Sequence, residues 1–206
     1  MSGVYHEGNR RLQDRFDTRR LADRIEDRIV RETIEEDDRA FIERCDMLFV
    51  ATADAEGRPS CPYKGGEPGF VRVLDERTIA FPGYDGNGMY LTFGNALVNA
   101  QVGLLFISVE ERKRLRLNGV ASIDEGDELV AAYPEAQFVV RVRATHVFPN
   151  CPRYIHHYRL VERSRFVPKA ECEPPGPRWR RSEWAHDVLP EGDPAERPDA
   201  EVVHKG

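Results

Sequence analysis

The chain has 206 residues, with 30 Lys and Arg against 36 Asp and Glu, a net charge of −6, 40% apolar residues and 32% charged residues. That length suits one globular domain with appendages, or two small domains. No run approaches the ~20 apolar residues of a membrane span. Dense Val, Ile, Leu and Phe runs exclude a wholly disordered chain, and the acidic balance argues against a dedicated nucleic-acid binder.

The opening MSGVYHEGNRR carries charge and no apolar stretch of a secretory signal, so a cytoplasmic protein is expected. Cys45, Cys61, Cys151 and Cys172 are widely spaced and form no C-x-x-C pair. Zinc sites use closely spaced ligand pairs, so no metal is expected and free thiols in a reducing cytosol are the default. Cys151 reads as a small buried hydrophobe or a reactive thiol.

In chain order, residues 9–36 read as one long helix. Leu12, Phe16, Leu21, Ile25, Ile29 and Ile34 recur every four or five positions as an apolar stripe, and Glu7–Arg11 and Asp27–Arg31 are i,i+4 pairs. The stripe has to pack on the core or on a partner chain. A short helix follows over 38–44, with Asp37 or Asp38 as N-cap and Phe41 and Ile42 inward. Residues 47–53 (MLFVATA) read as a strand buried on both faces, and Asp54 to Gly57 as a hairpin turn. Residues 58–63 return as an edge strand because of Pro59 and Pro62.

A loop from Lys64 to Gly69 precedes strands over 70–74 and 78–81. A second glycine loop, 82–88, leads into a short helix over 90–99. Residues 102–107 again read as apolar on both faces. Strand 115–123 alternates, with Leu115, Leu117, Gly119, Ala121 and Ile123 on one face and Arg114, Arg116, Asn118 and Ser122 on the other. A helical turn is expected over 127–133. In strand 138–148, Phe138, Val140, Val142 and Ala144 face inward and Arg141 and Arg143 outward. Six or seven short strands joined by tight turns predict a small barrel or sandwich. Residues 150–167 read as a short packed helix. From Glu171 prolines and charges dominate, so that tail is expected to be extended or disordered, with Trp179 and Trp184 as anchors. The expected division is a helical extension over 1–37, a barrel domain over 38–167 and a Pro-rich tail over 168–206.

The chemistry sits in the glycine loops. A phosphate needs cations, hydroxyls and free backbone N–H groups, and a flat heteroaromatic ring needs an apolar wall. Gly65 and Gly66 beside Lys64, or Gly83 to Gly88 before a helix start, offer such a setting, although each also reads as a plain turn. G-x-G-x-x-G is absent. The ordered blocks "ATAD-x-x-G-R-P", "KGG-x-PGFVRVLD-x-RT", "FP-x-Y-x-GN", "GN-x-L-x-N", "VGLLF" and "LR-x-NG", over roughly 40–148, resemble the pyridoxamine 5′-phosphate oxidase-like proteins. The CPRYI segment resembles a block that follows the last barrel strand in such proteins.

This resemblance implies a mainly β protein with flanking helices, folded as a split β-barrel. It implies a homodimer holding FMN at the subunit interface and an oxidoreductase acting on a small-molecule substrate. By the same resemblance Pro62, Tyr63 and Lys64 line the flavin edge, followed by Phe81, Pro82, Gly83 and Tyr84. Asn87, Gly88, Met89 and Thr92 lie near the ribityl phosphate with Asn95 close by, and Arg114 and Arg116 come from the interface strand. Many relatives carry basic residues after "GN", where this chain has Gly88 and Met89. Phosphate charge then falls to Lys64, Arg114, Arg116 or backbone N–H groups. Relatives that use deazaflavin F420 or bind haem supply the alternatives, with His146, His156 and His157 as axial candidates for haem. Trp179, Arg180, Arg181 and Trp184 lack the order of the substrate-gripping tail of the true oxidases, so vitamin B6 oxidation is not expected. No catalytic side chain is singled out.

Overall fold

The computed structural model describes residues 3–170, 174–193 and 195, so Glu171, Cys172, Pro194 and Pro198 lie outside the described residues. The chain divides into two compact units at Leu160/Val161. No helix among the described residues is long and apolar enough to cross a membrane.

The first unit starts with two helices where the sequence reads as one: α1 (Glu7–Arg15) and α2 (Arg19–Arg28). Asp17 breaks the run with a left-handed φ of 52°. Arg10 then reaches across the hairpin to Asp23 at 2.5 Å and Glu26 at 3.2 Å. These cross-helix pairs favour the folded-back arm over a straight one, and Arg31 pairs not with Asp27 but with Glu35 and Asp38. The expected stripe is only partly used: Ile34 is buried, while Leu12 and Phe16 stay exposed. The arm joins the sheet through Arg31 and Val147, whose amides and carbonyls bond reciprocally at 3.0 and 2.6 Å.

Helix α3 (Glu36–Arg44) starts at Glu35 rather than Asp37 or Asp38. Asp38 sits at the third helical position and accepts the Glu35 amide, the return half of a capping box. Eight antiparallel strands follow: β1 (Met47–Ala53), β2 (Pro59–Ser60), β3 (Tyr63–Gly65), β4 (Arg72–Val73), β5 (Thr78–Tyr84), β6 (Gln101–Ser108), β7 (Lys113–Asp124) and β8 (Ala136–Pro149). Helix α4 (Leu91–Val98) lies between β5 and β6. The order is β2-β1-β6-β7-β8-β5-β4, with β3 also on β1. The two ends do not pair with each other, which leaves a split barrel. The expected strand over 58–63 is two fragments, and that over 70–74 shrinks to β4, because Pro62 and the 66–71 turn interrupt the ladder.

Inside, Phe41 and Ile42 of α3 meet Leu48, Phe81, Phe106 and Leu117 in one apolar cluster. Strands β1 and β6 bury one face only. Leu48, Val50, Leu104 and Phe106 are inside, while Phe49, Leu105 and Ile107 are half-covered on the other side. The described residues place no second layer on that face, which is why the two-sided burial expected for these apolar runs is not seen. Strand β8 does bury residues on both faces, since the 3₁₀ turn Glu128–Ala132 brings Tyr133 onto Val139 and Ala80. Gly119 permits a close crossing, because a Cβ there would lie 2.5 Å from the Arg143 carbonyl oxygen. That atom belongs to the paired strand and cannot turn aside. Gly119→Ala is therefore expected to cost about 1–3 kcal/mol in a urea unfolding series, as overpacked sites do.

Residues 150–160 carry no helix; their turns leave Cys151 exposed rather than buried. In the second unit, 3₁₀ turns span Arg178–Arg181 and His186–Val188. Trp179 and Trp184 stack with ring centres 5.7 Å apart, and Arg180 forms a buried 2.8 Å ion pair with Asp193. These contacts and turns are found in a stretch expected to be extended or disordered.

Candidate ligand pocket

A pocket of about 310 Å³ opens where β3, the loop after β5 and the start of α4 meet. Period-2 alternation sends Lys64 of β3 into it and its neighbour Tyr63 to the other side, edge-on to Phe49 at 6.0 Å. The Lys64 ammonium lies 4.5 Å over the Phe93 ring. Phe93 is held edge-on by Phe138 at 4.8 Å. No carboxylate pairs with Lys64 among the described residues, and burial lowers its pKa from the ordinary lysine value.

Helix α4 points its start at the same space. Its N-cap, Tyr90, is in the left-handed region at φ 49° and gives no side-chain cap. The first-turn amides, which have no intrahelical acceptor, therefore lack a side-chain partner there. Thr92 adds a buried residue with a hydroxyl to the lining. The preceding loop is ordered locally: Asn87 Oδ1 accepts the Met89 amide at 3.1 Å, and the Tyr90 hydroxyl donates to Gln137 Oε1 at 2.9 Å. Burial raises the Tyr84 pKa to about 12, so its phenol stays protonated at neutral pH.

Of the residues singled out in the sequence, Pro62, Lys64, Tyr84, Asn87, Gly88, Met89 and Thr92 line this pocket. Phe81, Pro82 and Gly83 are buried beside it in β5, where a Cβ on Gly83 would strike the Phe138 ring at 2.1 Å. Asn95 is turned to Thr52 Oγ1, to which its amide donates at 3.2 Å. Arg114 and Arg116 lie on the outer face of β7. Arg114 donates to the Cys151 carbonyl, and Arg116 stacks on Phe148 at 5.2 Å. Gly86 of the expected glycine loop and Tyr90 at the expected helix start also line the pocket, with Ser60, Leu91 and Phe93, which were not singled out. Phe93 had a signal, since it falls in the first turn of a helix already expected to face the loop. His146, His156 and His157 lie outside the lining.

The fold is thus a split barrel in which a half-buried lysine, with no carboxylate partner among the described residues, stands beside an uncapped helix start. The profile of the pyridoxamine 5′-phosphate oxidase family matches residues 34–164, more than half of the chain, and the chain belongs to that family. Several solved structures are similar. HupZ of Group A Streptococcus is 20% identical, covering 56% of this chain and 93% of its own, with a TM-score of 0.46. The haem storage protein HutZ of Vibrio cholerae is 21% identical over 54% and 89%, with a TM-score of 0.40. An FMN-binding protein of Syntrophomonas wolfei is 10% identical over 68% and 97%, with a TM-score of 0.44. No curated protein sequence matches this one.

Proposed function

We propose that the chain is a cytoplasmic FMN-dependent oxidoreductase of a small molecule, with the flavin held at a homodimer interface. The observation that carries this reading is Lys64, a half-buried cation with no carboxylate partner among the described residues, beside the uncapped start of α4 in a family fold. The donor set fits a phosphate ester. Lys64 supplies charge, Thr92 a hydroxyl, and the first turn of α4 its N–H groups and positive dipole end. Pro62, Tyr84, Met89 and Leu91 supply apolar surface for a flat ring. A bound FMN supplies hydride or single-electron transfer. The protein's part is to hold and shield it, with the Tyr84 hydroxyl keeping its proton as a donor.

Two features support the dimer. At about 310 Å³ the pocket is at the small end for a cofactor of this size, so a second chain has room to complete it. Apolar residues also stand uncovered at its rim, Met89 at 61% and Leu91 at 55% exposure, with Leu97 and Val98 along α4.

The test is the absorption spectrum of the protein before and after mixing with FMN and gel filtration. Bands near ~375 and ~450 nm co-eluting with a dimer are expected of a bound oxidised flavin. A colourless protein that rejects FMN overturns the reading, and a Soret band replaces the flavin with haem as the cofactor, held elsewhere because no histidine lines this pocket.

A further inference from the structure

We propose that a second groove, walled by the N-terminal arm and the ends of β7 and β8, binds a small organic anion with an apolar body. The groove measures about 800 Å³, within the range of sites that enclose small molecules. Part of the lining is apolar: Ile25, Ile29 and Val30 of the arm, and Phe148 of β8. Another part is Arg116 and Asn118, projecting from the outer face of β7.

Charge selects the ligand class. The chain is rich in acidic residues, yet among the described residues none lines this groove. Several acids of the arm are held in ion pairs: Asp23 and Glu26 hold Arg10, Asp14 holds Arg19, and Asp38 holds Arg31, while Glu26 Oε1 also accepts the Val4 amide at 2.7 Å at the groove's edge. Arg116 makes no ion pair among the described residues, and its guanidinium carbon lies over the Phe148 ring, 5.2 Å from the centroid. Arg114, two residues along the same face of β7, has a buried Nε with no hydrogen-bond partner and adds a second positive charge nearby.

The remaining polar lining is rich in donors. His6 Nδ1 accepts the Gly8 amide at 3.1 Å, so the neutral ring carries its proton on Nε2. Asn9 Oδ1 accepts the His6 amide at 3.0 Å, which leaves its NH₂ group to donate. A guanidinium over an aromatic ring, donors around it and an aliphatic part of the lining match a carboxylate or phosphate on a flat apolar body. This inference does not rest on the FMN reading, since the two sites share no lining residue.

The full chain is titrated with 2-naphthoate and with 2-naphthyl phosphate, followed by calorimetry, with 2-naphthalenemethanol as the neutral control. One anion per chain is expected to bind, and the alcohol at least about tenfold more weakly, as for loss of a charge-assisted contact. The preferred anion tells a carboxylate source from a phosphate source. Arg116→Gln is expected to weaken the anion by about tenfold to a hundredfold.

Saturation with FMN should leave naphthoate affinity unchanged. One-for-one displacement by FMN overturns the proposal and assigns the groove to the flavin site of a dimer. Unaltered binding by a folded Arg116→Gln protein overturns it as well. Cys151 gives an independent readout in the unmodified groove, because it lines the space and is exposed. Bound naphthoate should slow its alkylation by iodoacetamide, read at the Cys151 peptide by mass spectrometry. Alkylation at the free-protein rate under saturation shows that the anion sits elsewhere. If FMN is rejected while naphthoate protects Cys151, the cofactor reading fails and the groove stands.

Discussion

Lys64→Gln is expected to weaken FMN binding by about tenfold to a hundredfold, the worth of one charge-assisted contact of ~1.5–3 kcal/mol. The same change is expected to stabilise the free protein. Burial lowers the Lys64 pKa, so the unfolded chain holds that proton more tightly than the folded one. Below the folded-state pKa the charged ammonium is therefore a cost to the free protein. That cost lifts as pH rises from the folded pKa towards the unfolded value. The Lys64→Gln substitution removes this alkaline gain in stability, which urea unfolding at a series of pH values measures. A bound phosphate reverses the sign by favouring the ammonium. FMN affinity is then full below the pKa of Lys64 in the free protein and falls as pH rises through it. Added salt should weaken FMN binding by the wild type more than by the Lys64→Gln variant. Equal FMN affinity in both proteins would move the phosphate to another cation, and Arg114 and Arg116 are the ones the sequence offers.

What could be read from the sequence depended on whether one chain settles the environment. Strand β7 was legible because its two faces differ chemically: Leu115, Leu117 and Ala121 are buried, and Arg116 is exposed. Strands β1 and β6 are apolar on both sides, so pattern alone implied double burial, but the described residues cover only one side. The break at Asp17 left no trace in the periodicity, because the cross-helix pairs of Arg10 depend on tertiary geometry. At the pocket, the order of the blocks located Lys64, Asn87, Gly88, Met89 and Thr92. It did not separate the wall from its support. Phe81, Pro82 and Gly83 adjoin Tyr84 in sequence, but β5 is enclosed by β4 and β8 and buries them. Arg116 was legible as outward-facing. Its groove was not, because the arm that forms the wall folds back only through contacts distant in sequence.

Arg31→Ala is expected to loosen that arm while sparing the Lys64 pocket. The Arg31 side chain is only 23% exposed, and its Nη1 forms ion pairs with Asp38 at 2.8 Å and Glu35 at 2.6 Å whose angles fall short of hydrogen-bond geometry. Burial lowers the guanidinium pKa, but the adjacent Asp38 and Glu35 carboxylates outweigh it and hold the pKa above the ordinary value. Removing the guanidinium leaves the Asp38 carboxylate, 10% exposed, beside Glu35, Glu36 and Asp37, with the Glu35 amide as its one hydrogen-bond donor among the described residues and the start of α3 for compensation. Breaking such a pair costs about 3 kcal/mol, the low end for buried partners because Glu35 is open to water. The reciprocal backbone bonds between Arg31 and Val147 survive the substitution chemically but lose the anchor beside them. Hydrogen exchange at those two amides should therefore quicken, and naphthoate binding in the groove should weaken with it. The flavin spectrum should persist, since β3, the loop after β5 and α4 make no use of Arg31. A stability loss below ~1 kcal/mol with unchanged exchange would show that burial of Ile34 and its 2.7 Å amide bond to the Glu76 carbonyl hold the arm unaided.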